Sequence, residues 1–169
     1  MIELGKSGIN MRFLAGAEEK EAREHMERAA KLAERASCLR SKCGSVIVKE
    51  GEIIGAGFNS PPGNVKLNVC LKDRLPSKFK SDRTCCVHAE QRAIMDALKK
   101  NPSKLKGSRL YFIRLDEKGG KEIAGEPYCT ICSKMALDAG VSEFVLWHEE
   151  GIAVYNTDEY NRLSFAYSE

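Results

Sequence analysis

The sequence predicts an α/β protein: a three-layer α/β/α sandwich around a central mixed five-stranded sheet. Helix-like and strand-like stretches alternate along the chain, two of the helical patterns directly follow extended segments, and no repeat or linker interrupts the 169 residues. That length suits one domain over 1–169, with a core over about 17–155 and a long insertion over about 60–84.

Residues 1–16 show no clear period and are expected to form a loose or docking segment. From Ala17 to Ser37 the run AEEKEAREHMERAAKLAERAS is rich in helix formers and opens with acids. It places Met26, Ala29, Ala30, Leu32 and Ala33 toward a core and leaves His25 solvated in polar surroundings. Residues 43–48, CGSVIV, read as a buried strand, Glu50-Gly51 as a turn, and 52–58, EIIGAGF, as the hairpin partner, ending at Asn59. Ser60-Pro61-Pro62-Gly63 then breaks regular structure. The polar stretch that follows, up to Thr84, holds Cys70 and a basic cluster of Lys78, Lys80 and Arg83. A loop that long in a compact domain is usually functional or disordered.

A second helix opens near His88, runs through Ala93, Ile94, Ala97 and Leu98, and stops before Pro102. Residues 108–115, SRLYFIRL, alternate and are β-rich, which predicts a central strand. A charged, glycine-bearing connector covers 116–126. The third helix is predicted over 129–139 with Gly140 as its stop, then strands over 141–147 and 152–155. Thr157-Asp158-Glu159-Tyr160 resembles the start of a short terminal helix.

The chemistry concentrates in Cys86-Val87-His88-Ala89-Glu90-Gln91-Arg92-Ala93-Ile94 and in Pro127-Tyr128-Cys129-Thr130-Ile131-Cys132. His88 offers an imidazole nitrogen and Cys129 and Cys132 offer thiolates, a donor set that suits zinc. Three protein ligands leave one tetrahedral position for water, whose pKa a bound zinc lowers toward roughly 7. Glu90, two residues past His88 on a helix, stands beside such a metal without binding it and can carry the water's proton. Alone, a Cys-x-x-Cys also serves as a redox pair or a structural zinc half-site, and a single histidine is ordinarily a plain core or surface residue. Together, His-x-Glu and Cys-x-x-Cys, each opening a helix, form the pattern of the zinc deaminases. Helix N-termini converging at one sheet edge would also favour thiolate over thiol.

Composition narrows the classes further. A hydrophobic content of 43% is that of an ordinary soluble protein. No apolar run approaches the roughly 18 residues that span a bilayer, and Glu3, Glu18 and Glu19 do not suit a signal peptide, so the expected compartment is cytoplasmic, with no membrane partner. Seven cysteines, an odd count, favour metal binding or free thiols over a disulfide framework. A net charge of +3 tolerates an anionic substrate but is too small to argue for nucleic acid as a partner.

At these residues the chain resembles the cytidine and deoxycytidylate deaminase superfamily, and within it the deoxycytidylate deaminases most closely. The resemblance covers about 35–147, through ASCLRSKCGSVIVKEGEIIGAGFNSPPG, the long insertion, RTCCVHAEQRAI, SRLYFI and CTICSKMALDAGVSEFVL. It implies a cytidine-deaminase-like fold, catalytic Zn2+ on His88, Cys129 and Cys132, and Glu90 as proton shuttle. It further implies that Asn59 contacts the sugar and that the Ala89 amide positions the pyrimidine carbonyl. The implied reaction is hydrolysis of a cytosine nucleotide, dCMP to dUMP plus ammonia, with cytidine or deoxycytidine as the close alternative.

The departures are specific. The family usually has proline immediately before the first zinc cysteine, and here Tyr128 intervenes, where it can border or stack on the base. Ser60 stands where the family often has glycine, in a region associated with nucleotide regulation. Some members carry a second, structural zinc, for which Cys38, Cys70, Cys85 and Cys86 fall at comparable places. Lys78, Lys80 and Arg83 are the phosphate-binding candidates, with plain surface solvation as the alternative role. A homo-oligomer is implied by resemblance alone. The aromatic residues Tyr155, Tyr160, Phe165 and Tyr167 of the tail read as core or subunit-contact residues. Two other function classes compete: a base deaminase on RNA or single-stranded DNA would need a basic track with stacking aromatics, and a non-enzymatic zinc module would leave Glu90 without a purpose.

Overall fold

Hydrophobic alternation along the strands sorts the chain into layers. The structure, a computed structural model, describes residues 10–76 and 85–167. Its elements are β1 (Arg12–Phe13), α1 (Gly16–Ala33), β2 (Lys42–Lys49), β3 (Glu52–Phe58), α2 (Ala89–Lys100), β4 (Ser108–Leu115), β5 (Lys121–Glu122), α3 (Thr130–Ala139), β6 (Val141–His148), β7 (Gly151–Asn156) and α4 (Thr157–Ala166). They form one sheet in the order β1-β7-β6-β4-β2-β3, with β5 added to β4. The β4–β6 pairing is parallel and the other pairings are antiparallel, so the sheet is mixed.

The predicted sandwich stands, but among the described residues the sheet has seven strands rather than five. The two additional strands, β1 and β5, are two residues long, too short for a period of two to register in the sequence.

Neighbouring residues on each strand serve opposite faces. Val46, Tyr111, Ile113, Val145 and Val154 pack with Met26, Ala29 and Ala33 of α1. Ile47, Leu110, Phe112, Phe144 and Leu146 pack with Ala93, Ile94 and Ala97 of α2, Ala136 of α3 and Tyr160 of α4. In this second layer Tyr160 stacks on Phe144 at a centroid distance of 4.0 Å, and Tyr155 is buried, whereas Phe165 and Tyr167 are exposed. Within α4, the Glu159 carboxylate accepts the Asn10 and Met11 amides at 2.9 and 3.2 Å, docking the start of the described chain.

Two expectations about α1 are corrected. The helix ends at Ala33 rather than Ser37, because the Arg35 and Ala36 amides turn back to the Leu32 and Ala33 carbonyls, each at 3.0 Å. His25 is buried rather than solvated, its ring 5.0 Å from that of Tyr111. It belongs to the stripe of Ala22, Met26 and Ala29, spaced three and four residues apart, which faces the sheet.

The hairpin turns at Glu50 (φ 51°) and Gly51 (φ 79°), the two left-handed residues of the turn type whose twist matches paired strands. At the far end of β3 a Cβ on Gly57 would lie 2.5 Å from the Ala89 carbonyl oxygen. Only glycine lets the first turn of α2 lie this close to the strand. None of the described helices is long and apolar enough to cross a membrane.

Candidate metal centre

Each functional side chain is held at the start of a helix. His88 is the N-cap of α2, and its amide donates to Gln91 Oε1 at 2.9 Å. Just before it, the Val87 amide donates to the Ser60 carbonyl at 2.9 Å, tying the end of the hairpin to the entry of α2. Arg92 reinforces this junction by donating to the Pro61 carbonyl at 3.1 Å. Cys129 is the N-cap of α3, its sulfur accepting the Cys132 amide at 3.4 Å, and Ser133 Oγ links α3 to Asn161 Oδ1 of α4 at 2.8 Å. The helix ends at Gly140 in the left-handed conformation, as its sequence predicts.

Two helix N-termini therefore meet at one point. His88 Nδ1 lies 3.3 Å from Cys132 Sγ and 3.4 Å from Cys129 Sγ, and the three ligand atoms lie within 4.8 Å of one another. A tetrahedral zinc with ordinary bond lengths would separate a nitrogen and a sulfur ligand by about 3.6 Å, so this donor set fits zinc in both spacing and chemistry. Among the described residues no other set of His, Cys, Asp or Glu side chains meets this spacing.

The electrostatics agree. The Cys129 thiol is held well below its ordinary value, chiefly by the hydrogen bond from Cys132 and then by His88. Sharing runs the other way for Cys132, pushed up by Cys129 and by burial, so in the metal-free pair one sulfur carries the charge. Glu90 is only 6% exposed. Burial, with the charge of Cys129 second, raises its carboxyl to about 7, where a carboxyl can both accept and donate a proton near neutral pH.

His88, Cys129 and Glu90 line a pocket together with Asn59, Ala89, Phe112 and Tyr128. Asn59 is spoken for in part: its Oδ1 accepts the Cys43 amide at 2.8 Å and its Nδ2 donates to the Ser41 carbonyl at 3.0 Å. One Nδ2 hydrogen and one Oδ1 lone pair remain for a ligand. The Ala89 amide is in the first turn of α2, where helical N–H groups lack intrahelical partners. Tyr128 is 46% exposed, with its hydroxyl 3.4 Å from Arg114 Nη2 and its ring 5.8 Å from that of Tyr167.

Six of the seven cysteines, Cys38, Cys43, Cys70, Cys85, Cys86 and Cys129, line this same pocket. Cys38 and Cys86 are hydrogen-bonded through their side chains. The insertion reaches the pocket through Cys70 and Lys72, and an Arg40–Asp73 ion pair fastens it to the segment before β2. Lys78, Lys80 and Arg83 lie outside the described residues. Sequence reasoning missed Arg40, Lys72 and Arg114 as pocket residues. Only Arg114 left a usable signal, since it occupies the inward register of a strand with Leu110 and Phe112.

Comparison with known proteins points the same way. The family model of the cytidine and deoxycytidylate deaminase zinc-binding region matches residues 19–148. A deoxycytidylate deaminase of Mycobacterium phage D29 is 32% identical over 125 residues, covering 69% of this chain and 86% of that protein. The crystal structure of the cyanophage S-TIM5 dCMP deaminase in complex with dCMP and dUMP is 28% identical, with a TM-score of 0.51 and coverage of 78% of this chain and 82% of that one. A cytidine deaminase from Burkholderia pseudomallei shares the fold, with a TM-score of 0.54 at 16% identity, covering 82% of this chain and 94% of that one.

Proposed function

This chain belongs to the cytidine and deoxycytidylate deaminase family, and from that premise we propose that it hydrolyses dCMP to dUMP and ammonia. The observation that carries the reading is a buried carboxyl, Glu90, that lines one pocket with His88 and Cys129 of a His-Cys-Cys set. Zinc on His88, Cys129 and Cys132 would supply a Lewis acid that makes water acidic enough to lose a proton near pH 7. Glu90 accepts that proton, passes it to N3 of the cytosine as C4 is attacked, and later hands a proton to the departing amino group. Water thus adds across the N3=C4 bond, Glu90 moves the proton of the new C4 hydroxyl to the amino nitrogen, the C4–N4 bond breaks as the C4 carbonyl forms, and the products are the uracil base and ammonia.

The remaining groups orient the base. The free Ala89 amide points the reading toward the O2 carbonyl, and the spare Asn59 hydrogen toward the sugar. Tyr128 borders the base from the pocket's open side. Pocket charge supports a nucleotide over a nucleoside: among the described residues Lys72, Arg114 and the Asp73-paired Arg40 line it against one carboxylate, Glu90.

The test is ammonia release from dCMP, CMP, deoxycytidine and cytidine, each incubated separately with zinc-loaded protein. Preferential turnover of dCMP is the expected result. Turnover of none of the four would move the search to bases within RNA or single-stranded DNA. The same preparation bears on two further proposals, a homo-oligomer and a structural zinc on Cys38, Cys70, Cys85 and Cys86, which line one pocket but would have to draw closer together to share a metal. Sedimentation at the mass of one chain would remove the first, and zinc content near one per chain would remove the second.

A further inference from the structure

We infer that Arg114 is the residue that selects a phosphate monoester in this pocket, an inference that rests on the cytosine-nucleotide reading above. Arg114 follows Leu110 and Phe112 in the inward register of β4, a position where the first two serve the core layer shared with α2. An arginine there loses hydration, and such a loss is ordinarily offset by a carboxylate. Arg114 has no such partner: among the described residues its guanidinium makes no ion pair, and its Nε is buried with no hydrogen-bond acceptor. The groups it does face are Tyr128, whose hydroxyl is 3.4 Å from Nη2, and the Cys43 side chain across the β2–β4 ladder. Glu122 stands directly opposite Arg114 on β5 without closing to an ion pair, and the charge of Glu90 also acts on it.

Two of the other charges of the pocket are already committed. Arg40 is paired with Asp73, Glu90 carries the proton in the reaction, and Lys72 is a half-buried lysine on a short turn of the insertion, outside the sheet that holds Arg114. Across the ladder from Arg114 stand Cys43 and then Asn59, whose amide donates to the Cys43 carbonyl at 3.2 Å. The row Asn59–Cys43–Arg114 thus leads along the pocket wall from the proposed sugar contact to an unpaired, half-buried guanidinium. A guanidinium presents a planar fork of N–H donors that matches two phosphate oxygens at once.

The experiment compares kcat and KM for dCMP and deoxycytidine in wild type, Arg114→Gln and Arg114→Lys, with melting temperature and zinc content measured for each. Losing a charged hydrogen bond to phosphate is expected to raise KM for dCMP by about 30-fold in Arg114→Gln. The kcat for dCMP and the kcat/KM for deoxycytidine should each stay within about threefold. Arg114→Lys, which keeps the charge without the fork, should lose an intermediate amount, and it stands in if the glutamine protein does not fold. Equal losses on the two substrates, or no loss on either, would overturn the assignment. Wild-type protein that turns over no dCMP would instead overturn the nucleotide reading, before any variant is compared.

Discussion

Replacing Glu90 by glutamine is expected to lower dCMP turnover by about 10²- to 10⁴-fold while zinc content and fold persist. Glutamine keeps the shape of the side chain and removes the only carboxylate that the described residues place in the pocket lining. Proton transfer is then left to bulk water, which the burial of this position keeps away. The measurement is kcat on dCMP beside metal analysis of the same sample. A variant that keeps zinc and more than a tenth of the wild-type kcat would remove Glu90 from the reaction.

The same substitution has a stability consequence of fixed sign. Burial first, and the charge of Cys129 second, raise the Glu90 carboxyl from 4.5 to about 7. Between those values the folded chain holds a proton that the unfolded chain releases. Stability of the metal-free protein therefore falls as pH rises through that window, by up to about 3 kcal/mol for this group. Glutamine has no proton to lose. After zinc is chelated, Glu90→Gln should outlast wild type in thermal melting at pH 8, and the gap should close below pH 4.5. A gap of the same size at both pH values would contradict this cause.

Replacing Cys132 by serine is expected to cost both the metal and the activity. Cys132 is fully buried, and its sulfur is 3.3 Å from His88 Nδ1. Serine leaves two zinc ligands and exchanges a soft, ionisable sulfur for a hydroxyl that stays protonated at neutral pH. Zinc content should drop by one per chain and dCMP turnover should fall below that of Glu90→Gln. A Cys132→Ser protein that retains that zinc would mean that the three side chains do not share a metal.

The contrast between what was and was not legible has physical causes. His88, Glu90, Cys129 and Cys132 were readable because ligands at short spacing, each pair opening a helix, leave a pattern within a few residues. The hairpin was readable because Glu50-Gly51 lies between two alternating β-rich runs. His25 was not, since its polarity argued for solvent while its place in the stripe of Ala22, Met26 and Ala29 put it against Tyr111. The strands β1 and β5 were invisible because long-range pairing with β7 and β4, rather than any local pattern, makes them strands. Arg40 and Lys72 were hidden for a similar reason: nothing in their own neighbourhoods marks which polar stretches fold back over the pocket. Arg114 could have been noticed, as a charge among inward-facing strand residues, and it is now the residue on which substrate choice is argued to turn.

The most direct test follows dUMP and ammonia formation from dCMP while zinc is titrated into chelator-stripped protein. The account predicts no turnover without metal, and turnover that rises with zinc and is restored to the level of the untreated protein. Turnover that persists in protein shown to be free of metal, or that stays absent once zinc is bound, would contradict a water-activating site on His88, Cys129 and Cys132.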